Sequence, residues 1–154
     1  MPRVSRKRVI DAPRERVWEL VSDPHHLPRW WPRTGRVEDV RQAPGGRRSR
    51  WTTVLQTERG SGVRADYRCT SAAVGERYVW EQEVEGTPFE KIVRSAMLEI
   101  HLRPQDSRTE VTLVAHERLR GLSRLGSPMM RRAVRRRLDE ALEGVQRAVG
   151  GPGE

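Results

Sequence analysis

The stretch from Ile10 to Trp31, IDAPRERVWELVSDPHHLPRWW, constrains the fold more than any other part of the chain. Ile10 closes an extended run. Asp11-Ala12-Pro13 then offers a helix start, where the fixed φ and missing N–H of proline do no harm. Val17, Trp18, Leu20 and Val21 give that helix an apolar stripe. Asp23-Pro24 stops it and starts a second short helix carrying Leu27, Trp30 and Trp31. A strand that leads straight into two short, heavily apolar helices needs a broad apolar surface for them to cover.

The rest of the chain supplies that surface. Turn signals fall at Pro44-Gly45-Gly46, Gly60-Ser61-Gly62, Val74-Gly75, Gly86-Thr87-Pro88 and Pro104-Gln105-Asp106-Ser107. Between them lie runs of period two, which predict an antiparallel meander with strands at 3–10, 35–43, 48–57, 63–73, 76–85, 92–103 and 109–119. Gly121 and Gly126 end the pattern, and Ser127 and Pro128 suit the cap and first turn of a helix. Met130, Val134, Leu138, Ala141, Leu142, Val145 and Val149 then repeat at three- and four-residue steps, predicting one helix over 128–149 that Gly150 ends. At ~1.5 Å per residue such a helix is roughly 33 Å long, enough to cross a sheet. Helices confined to one face of an antiparallel sheet make an α+β architecture. Residues 1–150 read as a single ligand-binding domain and 151–154 as a disordered tail.

The succession of strand, Ala-Pro, Val-Trp helix, Asp-Pro and Leu-Pro-x-Trp resembles the start of the polyketide cyclase/dehydrase and lipid-transport families of the START-related (SRPBCC) superfamily. The resemblance implies the helix-grip fold. There a seven-stranded antiparallel sheet curves around a long C-terminal helix, with two short helices after the first strand, over an apolar cavity. It implies a hydrophobic, aromatic or polycyclic small-molecule partner. Two roles follow from it: a polyketide cyclase/dehydrase-like enzyme, or a non-enzymatic lipid or quinone carrier. Hsp90-activator-like relatives carry a Gly-Trp element before the last helix, where this chain has Arg120-Gly121-Leu122. Quinone-binding, ribosome-associated relatives carry Tyr-Pro-x-Phe, where it has Leu27-Pro28-Arg29-Trp30.

Composition narrows the surroundings. There is no run of 18 apolar residues, and the N-terminus MPRVSRKRVIDAP has basic residues but no apolar h-region, so neither a membrane span nor a secretory signal is read. With Cys69 the lone cysteine, an internal disulfide is excluded, and a cytoplasmic setting is expected. The formal net charge of +9 would suit a nucleic-acid or ribosome contact, a third reading of function. Eight arginines and no acid lie between Arg118 and Arg137. Arg135 and Arg136, however, each stand four residues before Asp139 and Glu140, a spacing that would compensate them on the helix surface. Nucleic acid is therefore the less favoured partner, and the chain is expected as a monomer or homodimer.

Strand registers point to a site. A Val74-Gly75 hairpin would set Cys69 opposite Trp80, Tyr67 opposite Gln82, Arg68 opposite Glu81 and Arg64 opposite Glu85. Setting Leu102 opposite Thr109 would pair Ile100 with Val111, Leu98 with Leu113, Ala96 with Ala115 and Arg94 with Glu117. One inner row then reads Trp51, Cys69, Trp80, Ala96 and Ala115; the next reads Thr53, Tyr67, Gln82, Arg94 and Glu117. The second is a polar band across an apolar face, either a strand-end ion pair or a set of groups that orients a ligand. The expected ligand site comprises Trp30, Trp51, Thr53, Tyr67, Cys69, Trp80, Gln82, Arg94, Leu98, Leu113 and Glu117. It should enclose a cavity capped by Trp30. If the chain is an enzyme, Tyr67, Arg94 and Glu117 are the candidate catalytic groups, with Arg94 steadying an enolate. His25 and His26 read as loop residues, and His101 and His116 lie on the outer face. Cys69 reads as a packing thiol. No metal and no cofactor is expected.

Overall fold

The computed structural model describes residues 3–43, 48–56, 62–91, 93–119 and 127–150. Strand β1 (Arg3–Ile10) leads into helix α1 (Arg14–Val21), a 3-10 turn (Pro24–His26) and helix α2 (Leu27–Trp30). Strands β2 (Thr34–Arg41), β3 (Arg50–Leu55), β4 (Val63–Ala73), β5 (Arg77–Glu83), β6 (Val93–Gln105) and β7 (Arg108–Leu119) follow, and helix α3 (Ser127–Gly150) comes last. Among the described residues the strands form one antiparallel sheet in the order β1-β7-β6-β5-β4-β3-β2. This is the α+β helix-grip arrangement. The expected turns at 44–46 and 60–61, the breaks at Gly121 and Gly126, and the tail 151–154 lie outside the described residues.

Local chemistry explains the entry helices. Pro13 holds extended backbone (φ −69°, ψ 156°) just before α1, and Glu15 stands in the first turn, where the macrodipole favours an acid. The helix stops at Ser22, whose hydroxyl donates to the Trp18 carbonyl at 2.6 Å. Asp23 then accepts from the His25 backbone N–H at 3.0 Å and caps the 3-10 turn. Val17, Leu20, Val21, Leu27 and Trp30 are all buried. In α3 the buried stripe is Val134, Leu138, Ala141, Leu142, Val145 and Val149. Gly144 continues that face for a different reason: a Cβ there would stand 2.4 Å from the Trp30 carbonyl oxygen, so α3 and α2 touch backbone to backbone.

The expected registers divide by hairpin. Between β4 and β5, Asp66 pairs with Glu83, Tyr67 with Gln82, Arg68 with Glu81 and Cys69 with Trp80, as expected. Nearer the turn a bulge between Cys69 and Ser71 shifts the ladder, so Ala73 meets Arg77. The facing acids are separated by other partners: Thr52 donates to Asp66 at 2.6 Å, and Arg50 holds Glu83 at 3.2 Å. Arg64 pairs with Glu38 rather than Glu85.

The β6/β7 hairpin is displaced from expectation by two residues. Asp106 adopts φ 58°, which a short polar side chain tolerates, and the strands continue through Pro104 to pair Gln105 with Arg108. Ile100 therefore meets Leu113, Leu98 meets Ala115 and Ala96 meets Glu117. Between β3 and β4 the displacement is also two residues: Trp51 pairs with Tyr67 and Thr53 with Ala65. These two slips are even, so away from the irregularities at Cys69/Ser71 and Val93/Ser95 the side chains keep their expected faces while their cross-strand partners change.

Candidate functional site

The inner face of the sheet holds an unbroken aromatic cluster. Trp18 packs edge-on against Tyr78 at 6.1 Å between ring centroids, and Tyr78 neighbours Trp51 at 6.4 Å. Trp51 stacks on Tyr67 at 5.9 Å and meets Trp80 edge-on at 5.8 Å. Trp80 in turn touches Trp30 at 5.9 Å and Trp31 at 5.2 Å. All five tryptophans and both tyrosines of the chain are thus joined, from beneath α1 to the end of α2.

At the α2 end this cluster borders a cleft of about 60 Å³ between the sheet and α3. Trp31, Tyr67, Trp80, Gln82, Ala96, Met97, Leu98, Ala115, Glu117, Arg137 and Leu138 line it. The register explains the small residues: Ala96 faces Glu117, and Ala115 faces Leu98, leaving room that larger side chains would fill. The polar end is an ion pair in which Arg137 of α3 donates to Glu117 of β7 at 3.2 Å, with the Glu117 side chain 17% exposed. Beside it, the buried Gln82 Nε2 has no hydrogen-bond partner among the described residues. Burial pushes the Tyr67 phenol above its ordinary pKa, against the lowering effects of its hydrogen bond with Thr53 and of Arg137. Tyr67 is accordingly a neutral hydroxyl rather than a phenolate.

Five of the expected site residues line this cleft: Tyr67, Trp80, Gln82, Leu98 and Glu117. Trp51, Cys69 and Leu113 are buried in the core behind it, and the buried Thr53 contacts the Ala65 carbonyl at 3.4 Å. Cys69 contacts the Ser71 carbonyl through its sulfur at 3.4 Å. Trp30 is buried beneath its neighbour, and Trp31 stands at the cleft in its place. Arg94 is exposed and does not face Glu117, because an irregularity between Val93 and Ser95 adds to the two-residue slip. The cation at this position is Arg137, on the flank of the α3 stripe next to Leu138. In the sequence it is one of the eight arginines of the Arg118–Arg137 run, and only its place beside the apolar stripe distinguishes it. Beside Trp30 the indoles of Trp31 and Trp80 pack at 5.6 and 5.9 Å between ring centroids, and the cleft that Trp31 and Trp80 border measures about 60 Å³.

Elsewhere, His25 and His26, expected in a loop, lie in the 3-10 turn, and both rings approach Asp23. His101 and His116 lie on the outer face, where both contact Glu99. Among the described residues no group of three or more His, Cys, Asp or Glu side chains is arranged to hold a metal, and no helix is long and apolar enough to cross a membrane. Asp139 is held by Arg6 of β1 at 2.8 and 3.1 Å rather than by Arg135.

A curved antiparallel sheet gripping a long helix, with an aromatic cleft between them, defines a helix-grip protein of the hydrophobic-ligand-binding type. The family described as polyketide cyclase / dehydrase and lipid transport matches residues 1–150, and the chain belongs to it. No curated protein matches it in sequence. Among solved structures, a START superfamily protein from Mycobacterium smegmatis superposes with a TM-score of 0.78 at 14% identity, covering 96% of this chain and 97% of that one. The Zhui aromatase/cyclase from Streptomyces sp. R1128 gives 0.74 at 20% identity, covering 94% and 91%. The di-domain aromatase/cyclase BexL of the BE-7585A biosynthetic pathway gives 0.75 at 22% identity, covering 95% of this chain and 45% of that one. At these identities the likeness is one of fold.

Proposed function

We propose that the cleft between the sheet and α3 binds a flat, apolar small molecule bearing at least one hydrogen-bond acceptor, of the aromatic or polycyclic kind on which a polyketide cyclase/dehydrase acts. One observation carries this reading: aromatic walls, an unpartnered amide donor and a half-buried ion pair meet at a single place on an otherwise apolar face. A buried Gln82 Nε2 without a partner costs stability, and a ligand carbonyl or phenolic oxygen would supply the missing acceptor.

Binding requires the site to open. A ligand pocket usually measures roughly 300–1,000 Å³, well above the about 60 Å³ present here. Trp31 is the wall to move, because it is only partly buried and lies just past the end of α2. The polar end suits chemistry at a carbonyl. Arg137 would steady an enolate oxygen, the role first assigned to Arg94, while Glu117 would accept the proton and the neutral Tyr67 would donate a hydrogen bond. Carriage of a lipid or quinone remains the non-enzymatic form of the same reading.

The test is titration with a hydroxylated anthraquinone, followed by quenching of tryptophan fluorescence. Saturable quenching is expected, and Trp80→Ala should weaken it by more than a change at the exposed Arg135. Absence of saturable quenching by flat quinones and phenols up to their solubility limits would sink the proposal. Turnover of a poly-ketone substrate separates enzyme from carrier: loss of turnover with retained binding in Glu117→Gln would identify a catalyst.

A further inference from the structure

Three exposed arginines, one from each helix, border a common surface hollow. Arg16 of α1, Arg29 of α2 and Arg147 of α3 line one surface hollow of about 540 Å³, together with Ala148. Among the described residues no carboxylate lines it, although Glu140 and Glu143 line the adjoining hollow with Arg29 and Arg147. Among the described residues, neither Arg16 nor Arg147 has an ion-pair partner, whereas Arg6, Arg36, Arg50, Arg64, Arg68 and Arg137 each have one. Arg29 is held in place by donating to the Ala148 carbonyl at 3.2 Å.

Helix electrostatics account for only part of this cluster. Arg29 and Arg147 stand at the C-terminal end of α3, where the macrodipole favours cations. Arg16 has no such reason, because it lies in the first turn of α1, at the end where a cation is disfavoured. Three like charges bordering one hollow repel one another only weakly through solvent and salt, and an anion placed among them would turn that repulsion into attraction. Guanidinium forks converging from several directions match the oxygens of a tetrahedral oxyanion.

We propose that this hollow is a phosphate-binding site, taking either inorganic phosphate or the phosphoryl group of a small phosphomonoester. Arg29 is the fixed member, and Arg16 and Arg147 close on the oxygens from either side. Arg29 and Arg147 also line the adjoining hollow that reaches Trp31, so a phosphorylated molecule bound here would extend toward the mouth of the cleft. The site does not depend on the cleft being a ligand site.

Isothermal titration with inorganic phosphate, and separately with phenyl phosphate, tests the proposal at constant ionic strength maintained with chloride. Saturable binding of at least one is expected, weakening as the pH is lowered and the dianion becomes a monoanion. Arg16→Gln combined with Arg147→Gln should weaken it by about tenfold or more, since two charge-assisted hydrogen bonds are lost. Arg29 is kept in that variant so that the cap on Ala148 survives, and circular dichroism checks the fold. Arg135→Gln with Arg136→Gln removes the same charge elsewhere on α3 and should change affinity by no more than about twofold if the site is local. Preference for inorganic phosphate would indicate a free-ion site, and preference for phenyl phosphate a phosphorylated ligand. No heat beyond that of matched chloride, or equal weakening in both double variants, would overturn the proposal in favour of diffuse net charge.

Discussion

At the scale of single residues, the most informative side chains are those whose partners differ from what spacing suggests. Glu99 is one. Burial works to raise its carboxyl pKa, but hydrogen bonds from His101 and His116 outweigh this and hold it below the ordinary value. A carboxyl depressed in the folded state contributes stability above its unfolded pKa of about 4.3, and that contribution is lost as pH falls through the lower folded value. Glu99→Gln should therefore lower Tm near neutrality and flatten its dependence on pH on the acid side, as thermal melts between about pH 3 and 7 would show. An unchanged acid limb would mean the two histidines do not stabilise the anion. Arg137 is the other such residue. Its removal leaves the largely buried Glu117 unpaired, so Arg137→Ala should destabilise the free protein, while Arg137→Ala with Glu117→Gln should recover part of that loss. Exposed Arg94→Ala should do neither, and chemical denaturation of the three variants is the check.

At the scale of elements, the alternation of side chains made faces legible and registers only partly so. A period of two is unchanged by a slip of two. The pattern Ala96, Leu98, Ile100, Leu102 therefore looks inward whether Leu98 meets Leu113 or Ala115. Charged pairs tested the alignment only in part: Arg68 stands opposite Glu81 as expected, whereas Arg64 pairs with Glu38 and Arg94 does not face Glu117. At the β6/β7 turn, spacing suggests a loop from Pro104, but the strands run on through Pro104 and the hairpin shifts by two residues. The site inherits this error: Tyr67, Trp80, Gln82 and Glu117 were identifiable from their faces, whereas Arg137 depends on how α3 lies across the sheet. Gly144 shows the same limit, since its purpose is visible only beside Trp30. Gly144→Ala should cost about 1–3 kcal/mol by forcing α2 away, despite the better helix propensity of alanine. The fully buried Leu138→Ala should cost about 2–5 kcal/mol through the cavity it leaves. Urea denaturation distinguishes these outcomes from a stabilising Gly144→Ala, which would mean the α2–α3 contact is loose.

At the scale of the whole molecule, two properties compete to define the partner: an apolar cleft inside and a net charge of +9 outside. They differ in their response to salt. Phosphate-backbone contacts displace counterions, so a protein making 6–10 of them loses about 10³–10⁵ in affinity between 50 and 200 mM salt. Transfer of a flat apolar ligand into the cleft involves no such release, and modest salt should leave it nearly unchanged. Arg131, Arg132, Arg135 and Arg136 are exposed on α3 and would supply the first kind of contact. Anthraquinone affinity should accordingly stay within about twofold across that salt range, because the Debye length changes but the buried area does not. Any RNA or DNA retention at low salt should collapse over the same interval. Tight RNA binding that persists at about 200 mM salt and is lost on replacing those four arginines by alanine would reverse the ranking, making the surface of α3 the functional site and the aromatic cleft a packing feature.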